Sequence, residues 1–167
     1  MRLETAAEVK SFWENHRSEY AKQLEGLTTL QRKIREQKLE LFPKVECALK
    51  VFDIFPGSGT QYPHPLTGDP KATALITGYL HNSQSSNKFW IFKSSPVGVI
   101  ALIHDDKQLD SLLQLKRDTI INISGEMTYL DEFNYFIDGG LNCFGLSAGS
   151  LFTFRIDKAK LLTSIAN

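Results

Sequence analysis

The sequence has few of the features that mark a secreted or membrane-spanning protein. Cys47 and Cys143 are the only two cysteines among 167 residues, and they have no metal-ligand spacing. We interpret both as buried free thiols, because a disulfide would require export of the chain. The charged start, "MRLE", predicts no signal peptide. No apolar run approaches the roughly 18 residues of a transmembrane helix, so we expect a cytoplasmic protein without membrane contact.

An excess of positive charge is also missing. The chain has 19 basic and 19 acidic residues, which gives a formal net charge of zero. This balance argues against a global basic field of the kind that supports tight non-specific nucleic-acid binding, although a local patch is compatible with it. The stretch "QRKIREQK", residues 31–38, is locally basic. A solvated helix face is the commoner meaning of such a run.

No motif predicts catalysis, a metal or a cofactor. None of the four histidines has a His or Cys at ligand spacing. The "GLSAG" stretch resembles a nucleophile elbow around Ser147, but no histidine follows it. The glycine-rich "PGSGT", residues 56–60, lacks the Lys-Ser/Thr ending of a phosphate-binding loop. We therefore predict a non-enzymatic protein with no metal and no cofactor.

The first 42 residues predict a helical segment. Thr5 with Glu8 forms a capping-box pattern, and Pro43 ends the segment. Apolar residues recur seven apart within it, as in a coiled coil: Trp13, Tyr20, Leu27, Ile34 and Leu41. Gly26, and a second cap formed by Thr28 with Gln31, make one long helix or a helical hairpin equally compatible with the pattern. The stripe fits oligomerisation, with Trp13, Tyr20, Leu27 and Ile34 as contacts, or packing on the protein's own β domain.

The rest of the chain is rich in strand patterns. Residues 43–70 contain a predicted strand at 44–55 and a long Pro/Gly-rich linker loop, and residues 71–167 form the predicted β domain. A short helix at 105–115 is expected after the third strand of that domain. The predicted strands of the β domain are 72–81, 88–93, 97–103, 118–129, 133–137 and 149–156.

Three strands, a helix and two more strands is the order of the oligonucleotide/oligosaccharide-binding (OB) barrel. "TALITGYLHN" carries Gly78 in a long strand, "KFWIF" matches an apolar second strand, and "LDSLLQLKRDTIINISGEMTYL" ends its alternating strand near Gly125. This pattern resembles the nucleic-acid-binding barrels of class II aminoacyl-tRNA synthetases over about residues 72–137. The resemblance implies a mainly β fold with α-helices: a five-stranded OB-type barrel preceded by an N-terminal helical segment.

The resemblance also implies a surface for single-stranded nucleic acid, on which aromatic side chains stack against bases. With Phe89 and Ile91 predicted inside the barrel, the candidate contacts are Tyr79, Lys88, Trp90, Phe92, Lys93, Tyr129 and Tyr135. The alternative is that protein covers this face, either the N-terminal helices or a partner in an adaptor or assembly role. The expected partner is therefore a single-stranded nucleic acid or a protein, including a homo-oligomer formed through the N-terminal helices.

Overall fold

The computed structural model describes residues 1–57, 71–81, 97–130 and 153–164. Three helices and six strands lie within these ranges. A 3-10 turn at Asp106–Gln108 precedes the third helix. The elements in chain order are β1 Arg2–Leu3, α1 Ala6–Leu24, α2 Thr29–Glu36, β2 Lys44–Pro56, β3 Ala74–Leu80, β4 Gly98–Ile103, α3 Leu109–Gln114, β5 Ile120–Leu130 and β6 Thr153–Ser164.

The N-terminal segment is two helices, not one rod. Both predicted capping boxes form: the Thr5 hydroxyl accepts from the Glu8 amide, and the Thr28 hydroxyl accepts from the Gln31 amide. Between them Gly26 has a φ of +71°, a left-handed conformation that glycine adopts without strain. This backbone conformation interrupts the helix, so the seven-residue stripe is divided between α1, α2 and the segment that follows.

Strands β2 to β6 form a closed five-stranded barrel. The order is β2-β3-β4-β6-β5, and β5 pairs back to β2. All neighbours are antiparallel except β4 and β6, which are parallel. The fold is mainly β with helices, and the barrel is compatible with an OB-like barrel, with its helix between the third and fourth strands as expected.

The first barrel strand differs from the predicted one. The sequence pattern places residues 44–55 in the linker segment and predicts a barrel domain that begins at residue 71, whereas β2 pairs with β5 through its first half and with β3 through its second. Strand β3 is therefore the second barrel strand. The last strand, β6, extends past the end of the predicted 149–156 to Ser164, and residues 149–152 lie outside the described residues. The predicted strands at 88–93 and 133–137 lie outside the described residues.

A register shift between Val51 and Asp53 lets β2 serve both partners. Such a bulge bends and twists a strand, which a small barrel requires. Gly78, paired with Val51, lies very close to β2, because a Cβ at Gly78 would lie 2.1 Å from the Lys50 carbonyl oxygen. Gly125 does not end its strand as expected, because β5 continues past it to Leu130.

The barrel interior forms the main core. Its fully buried side chains include Leu49, Ile76, Ile123, Phe154 and Ile156. The helices complete this core. Val9 of α1 is buried in the same cluster and Phe12 and Trp13 pack against it, while α3 contributes Leu112. Trp13, the first residue of the predicted stripe, thus packs on the protein's own barrel.

Candidate functional site

Most of the predicted nucleic-acid contacts lie where the structure gives no side-chain description. Lys88, Trp90, Phe92, Lys93 and Tyr135 are outside the described residues. Tyr129 is described only in its backbone, which pairs with that of the fully buried Phe154.

Tyr79 is the one predicted contact whose surroundings are defined. It lies half-buried on β3, opposite Lys50 in the β2–β3 register, and packs against an apolar cluster on the same face. Burial raises the pKa of the Tyr79 hydroxyl above its usual range. Lys50 lies 3.4 Å from the Asp118 carboxylate, measured from Nζ to Oδ1. The structure therefore brings one aromatic and one cation together here, with a carboxylate beside the cation.

The outer face of β3 and β4 is itself buried. Leu75 pairs with Leu102 and Thr77 with Ile100 across the two strands, and all four side chains have almost no solvent exposure. Leu75, Ile100, Leu102 and Ala72 form a second apolar cluster, separate from the barrel interior. A base cannot stack on side chains that solvent does not reach, so this part of the face is not an open platform.

A groove lies between α1, α2 and the residues before β2. Trp13, Tyr20, Leu24, Leu41 and Phe42 supply its apolar walls. His16 and several charged side chains also line it. The groove, which we call the N-terminal groove, has a volume of about 810 Å³. Two of the predicted packing residues, Trp13 and Tyr20, thus meet in one surface feature.

The walls of the N-terminal groove are fixed by specific contacts. His16 Nε2 lies 2.9 Å from the Leu41 carbonyl oxygen, which joins α1 to the chain entering β2. The Trp13 and His16 rings have centroids 6.1 Å apart at an interplanar angle of 30°. Leu24 is buried at the end of α1, where a basic side chain, Lys22, also stands in the last turn. The groove is therefore a built part of the fold.

Helix α2 presents apolar side chains to solvent. Leu27, Leu30 and Ile34 are 37%, 69% and 49% exposed, and no residue of α2 is buried. Leu30 and Ile34 are four residues apart and so share one helix face. The other two predicted packing residues, Leu27 and Ile34, consequently belong to an exposed surface. Together with exposed Leu41 and Phe42 they are what we call the N-terminal apolar surface.

Phe42 was absent from the predicted site. In the sequence it is marked only by its position between Leu41 and Pro43, where it does not belong to the seven-residue stripe. The basic residues near α2 are exposed, as expected of a solvated face, and Arg32 forms an ion pair with Glu36 at 3.0 Å.

The described residues contain no group of three or more His, Cys, Asp or Glu side chains placed to hold a metal ion. None of the helices described is long and apolar enough to cross a membrane. Cys47 is free and buried, and burial raises the pKa of its thiol to about 12. A thiol with such a pKa is protonated and a poor nucleophile at neutral pH.

Comparison of the chain with protein-family models, curated proteins and solved structures found no match. The class is thus defined by the fold alone, as a closed five-stranded barrel preceded by two helices. Function has to be argued from the surfaces of the chain.

Proposed function

We propose that this protein is an assembly module that self-associates through its N-terminal helical segment. The observation that carries the proposal is α2, a capped helix with no buried residue and with Leu27, Leu30 and Ile34 in solvent at or beside it. Solvent exposure of neighbouring large apolar side chains is characteristic of interaction sites.

The proposed occupant of this surface is a second copy of the chain. In a two-fold dimer both subunits contribute the same patch, so one apolar helix face on each subunit can form the interface. Leu30 and Ile34 lie four residues apart on one face of α2, a spacing that suits pairing between helices. The zero formal net charge means that no overall repulsion opposes association.

The proposal gives the magnitude of a single substitution. About half of the Ile34 side chain remains to be buried, which corresponds to roughly 1 kcal/mol of apolar transfer free energy. Each substitution in a two-fold dimer occurs twice. Ile34→Ser should therefore weaken dimerisation by about 2 kcal/mol, or roughly thirtyfold in Kd.

Sedimentation velocity over a range of concentrations tests this function. The wild-type chain should show a concentration-dependent shift from monomer to dimer, and Ile34→Ser should move that shift to higher concentration. Leu162→Ser is the matched control, because Leu162 is 45% exposed but lies on β6. A wild-type chain that remains monomeric throughout, or equal effects of the two substitutions, would refute the proposal.

Single-stranded nucleic-acid binding is the second candidate. It is supported by the OB-compatible strand order and by the pairing of half-exposed Tyr79 with Lys50. It extends to Lys88, Trp90, Phe92, Lys93, Tyr129 and Tyr135 by the sequence pattern alone. Because the outer face of β3 and β4 is buried, a nucleic acid would contact the surface around Tyr79 and the predicted contacts that follow it in the chain.

Fluorescence anisotropy of a mixed-sequence oligonucleotide, at low and physiological salt, tests the second candidate. Binding should be saturable and salt-sensitive, should quench tryptophan, and should weaken in Trp90→Ala without a change in sedimentation. Absence of binding at both salt concentrations would remove this candidate and would leave the self-association proposal untouched.

A further inference from the structure

A second cleft lies far along the chain from the N-terminal segment, where α3 stands beside β2 and the start of β3. Its volume is about 420 Å³, within the range of small-molecule sites. Val51, Ile54, Phe55 and Ala74 form one side, and four leucines associated with α3 form the other: Leu109, Leu112, Leu113 and Leu115. The lining is thus predominantly apolar.

The leucines of α3 divide into a buried set and an exposed set. Leu112 is buried in the barrel core, whereas Leu109 is 43% and Leu113 72% exposed although both line the cleft. Leu109 and Leu113 are four residues apart and therefore lie one above the other on the same helix face. An apolar molecule in the cleft would remove both from water.

The charged groups of the cleft carry a positive excess. Asp53 is already compensated, because its Oδ2 lies 2.6 Å from Arg117 Nη2 and its Oδ1 accepts from the Ile54 amide. Arg117 is also held over the Phe52 ring at 5.8 Å. Lys116 lines the same cleft and forms no ion pair with any described residue. Its ammonium group is therefore available to an anion.

The size of the cleft restricts the kind of apolar molecule that can bind in it. Helix α3 has six residues and so is about 9 Å long, too short to support a partner helix of several turns. A single flexible hydrocarbon chain fits such a length.

We propose that this cleft binds a single-chain amphiphilic carboxylate, with its hydrocarbon tail against Leu109 and Leu113 and its carboxylate at Lys116. The proposal is independent of the self-association proposed above, because it uses no residue of the N-terminal apolar surface.

Isothermal titration calorimetry with dodecanoate, below the concentration at which it forms micelles, tests the site on the whole chain. Dodecylammonium is the matched probe, since it has the same tail and the opposite charge. Saturable binding of dodecanoate that is clearly tighter than that of dodecylammonium is expected. Leu113→Ser should weaken dodecanoate binding about tenfold, and Lys116→Ala about fivefold.

Leu162→Ser is the control, because Leu162 is 45% exposed, close to the 43% of Leu109, but lies on β6, which contributes no described residue to the lining of the cleft. It should leave the affinity unchanged. Leucine methyl NMR supplies an independent readout, in which dodecanoate should shift the Leu109 and Leu113 signals before any on α2. No binding, equal binding of both amphiphiles, or equal losses in Leu113→Ser and Leu162→Ser would overturn the proposal.

Discussion

Gly78→Ala tests whether the stability of the barrel depends on the close contact between β2 and β3 at Gly78. An alanine Cβ would stand 2.1 Å from the Lys50 carbonyl oxygen and 2.7 Å from Leu49 Cδ1. Backbone oxygen cannot move aside as a side-chain end does, so the two strands would have to separate by roughly 1 Å. Overpacking of this kind costs about 1–3 kcal/mol, and weakening of adjacent ladder hydrogen bonds adds about 1 kcal/mol. We expect a loss of about 3 kcal/mol in the free energy of unfolding.

The same substitution at Gly26 is the control. A Cβ at Gly26 would meet no atom within 4 Å, but the φ of +71° is unfavourable for alanine. The cost there should be about 1 kcal/mol. Urea unfolding followed by far-UV circular dichroism measures both. If Gly78→Ala lowers the free energy of unfolding no more than Gly26→Ala does, the stability of the barrel does not depend on the close approach of β2 and β3.

Three further predictions concern the core, a cap and a thiol. Leu49 faces the interior where β2 meets both β3 and β5, so Leu49→Ala should lower the free energy of unfolding by about 2–5 kcal/mol in urea, and a loss under 1 kcal/mol would contradict its burial. Thr5→Ala removes the cap of α1 and should cost about 1 kcal/mol, whereas Thr5→Ser should be nearly neutral in thermal unfolding. Burial raises the pKa of the Cys47 thiol to about 12 from 9.0, so this thiol should not change the free energy of unfolding below pH 9 and should lower it as the pH rises from 9 towards 12. Cys47→Ala should make the free energy of unfolding depend less steeply on pH in this range. An unchanged dependence would exclude the thiol as its source.

Local signals in the sequence predicted local structure well. Thr5 and Thr28 both cap the helices expected of them, because a capping hydrogen bond depends on residues only three positions away. The predicted strands at 72–81, 97–103 and 118–129 correspond to β3, β4 and β5.

The assignment of strands to the barrel was less successful. The proline- and glycine-rich stretch after Pro56 suggested a boundary, so β2 was placed outside the barrel although its alternation was recognised. It pairs on one side with residues 120–126 of β5 and on the other with Ala74–Leu80 of β3, which come much later in the sequence. Local patterns do not encode such distant contacts.

The sequence named four residues of the N-terminal segment as packing contacts, and their role there stays a prediction. Trp13 and Tyr20 share the N-terminal groove, and Leu27 and Ile34 are exposed beside it. Periodicity identified all four residues, but it could not tell that Trp13 would pack against the barrel core while Leu27 and Ile34, beyond the break at Gly26, would be exposed to solvent. The cleft beside α3 was not predicted, because it forms only when Leu113 meets residues of β2 from sixty positions earlier.

The double pairing of β2 has a consequence for the order in which the protein folds. Closing the barrel joins Val45 to Gly125, about eighty residues apart, and such long-range pairing is slow to form. During synthesis the first residues leave the ribosome long before β5 exists. Strand β1, which pairs with Glu46 and Cys47, and the Val9 side of α1 must therefore wait for a barrel that the later half of the chain completes. In that interval the nascent chain exposes the apolar residues of α1, because this helix is synthesised before the strands that it covers.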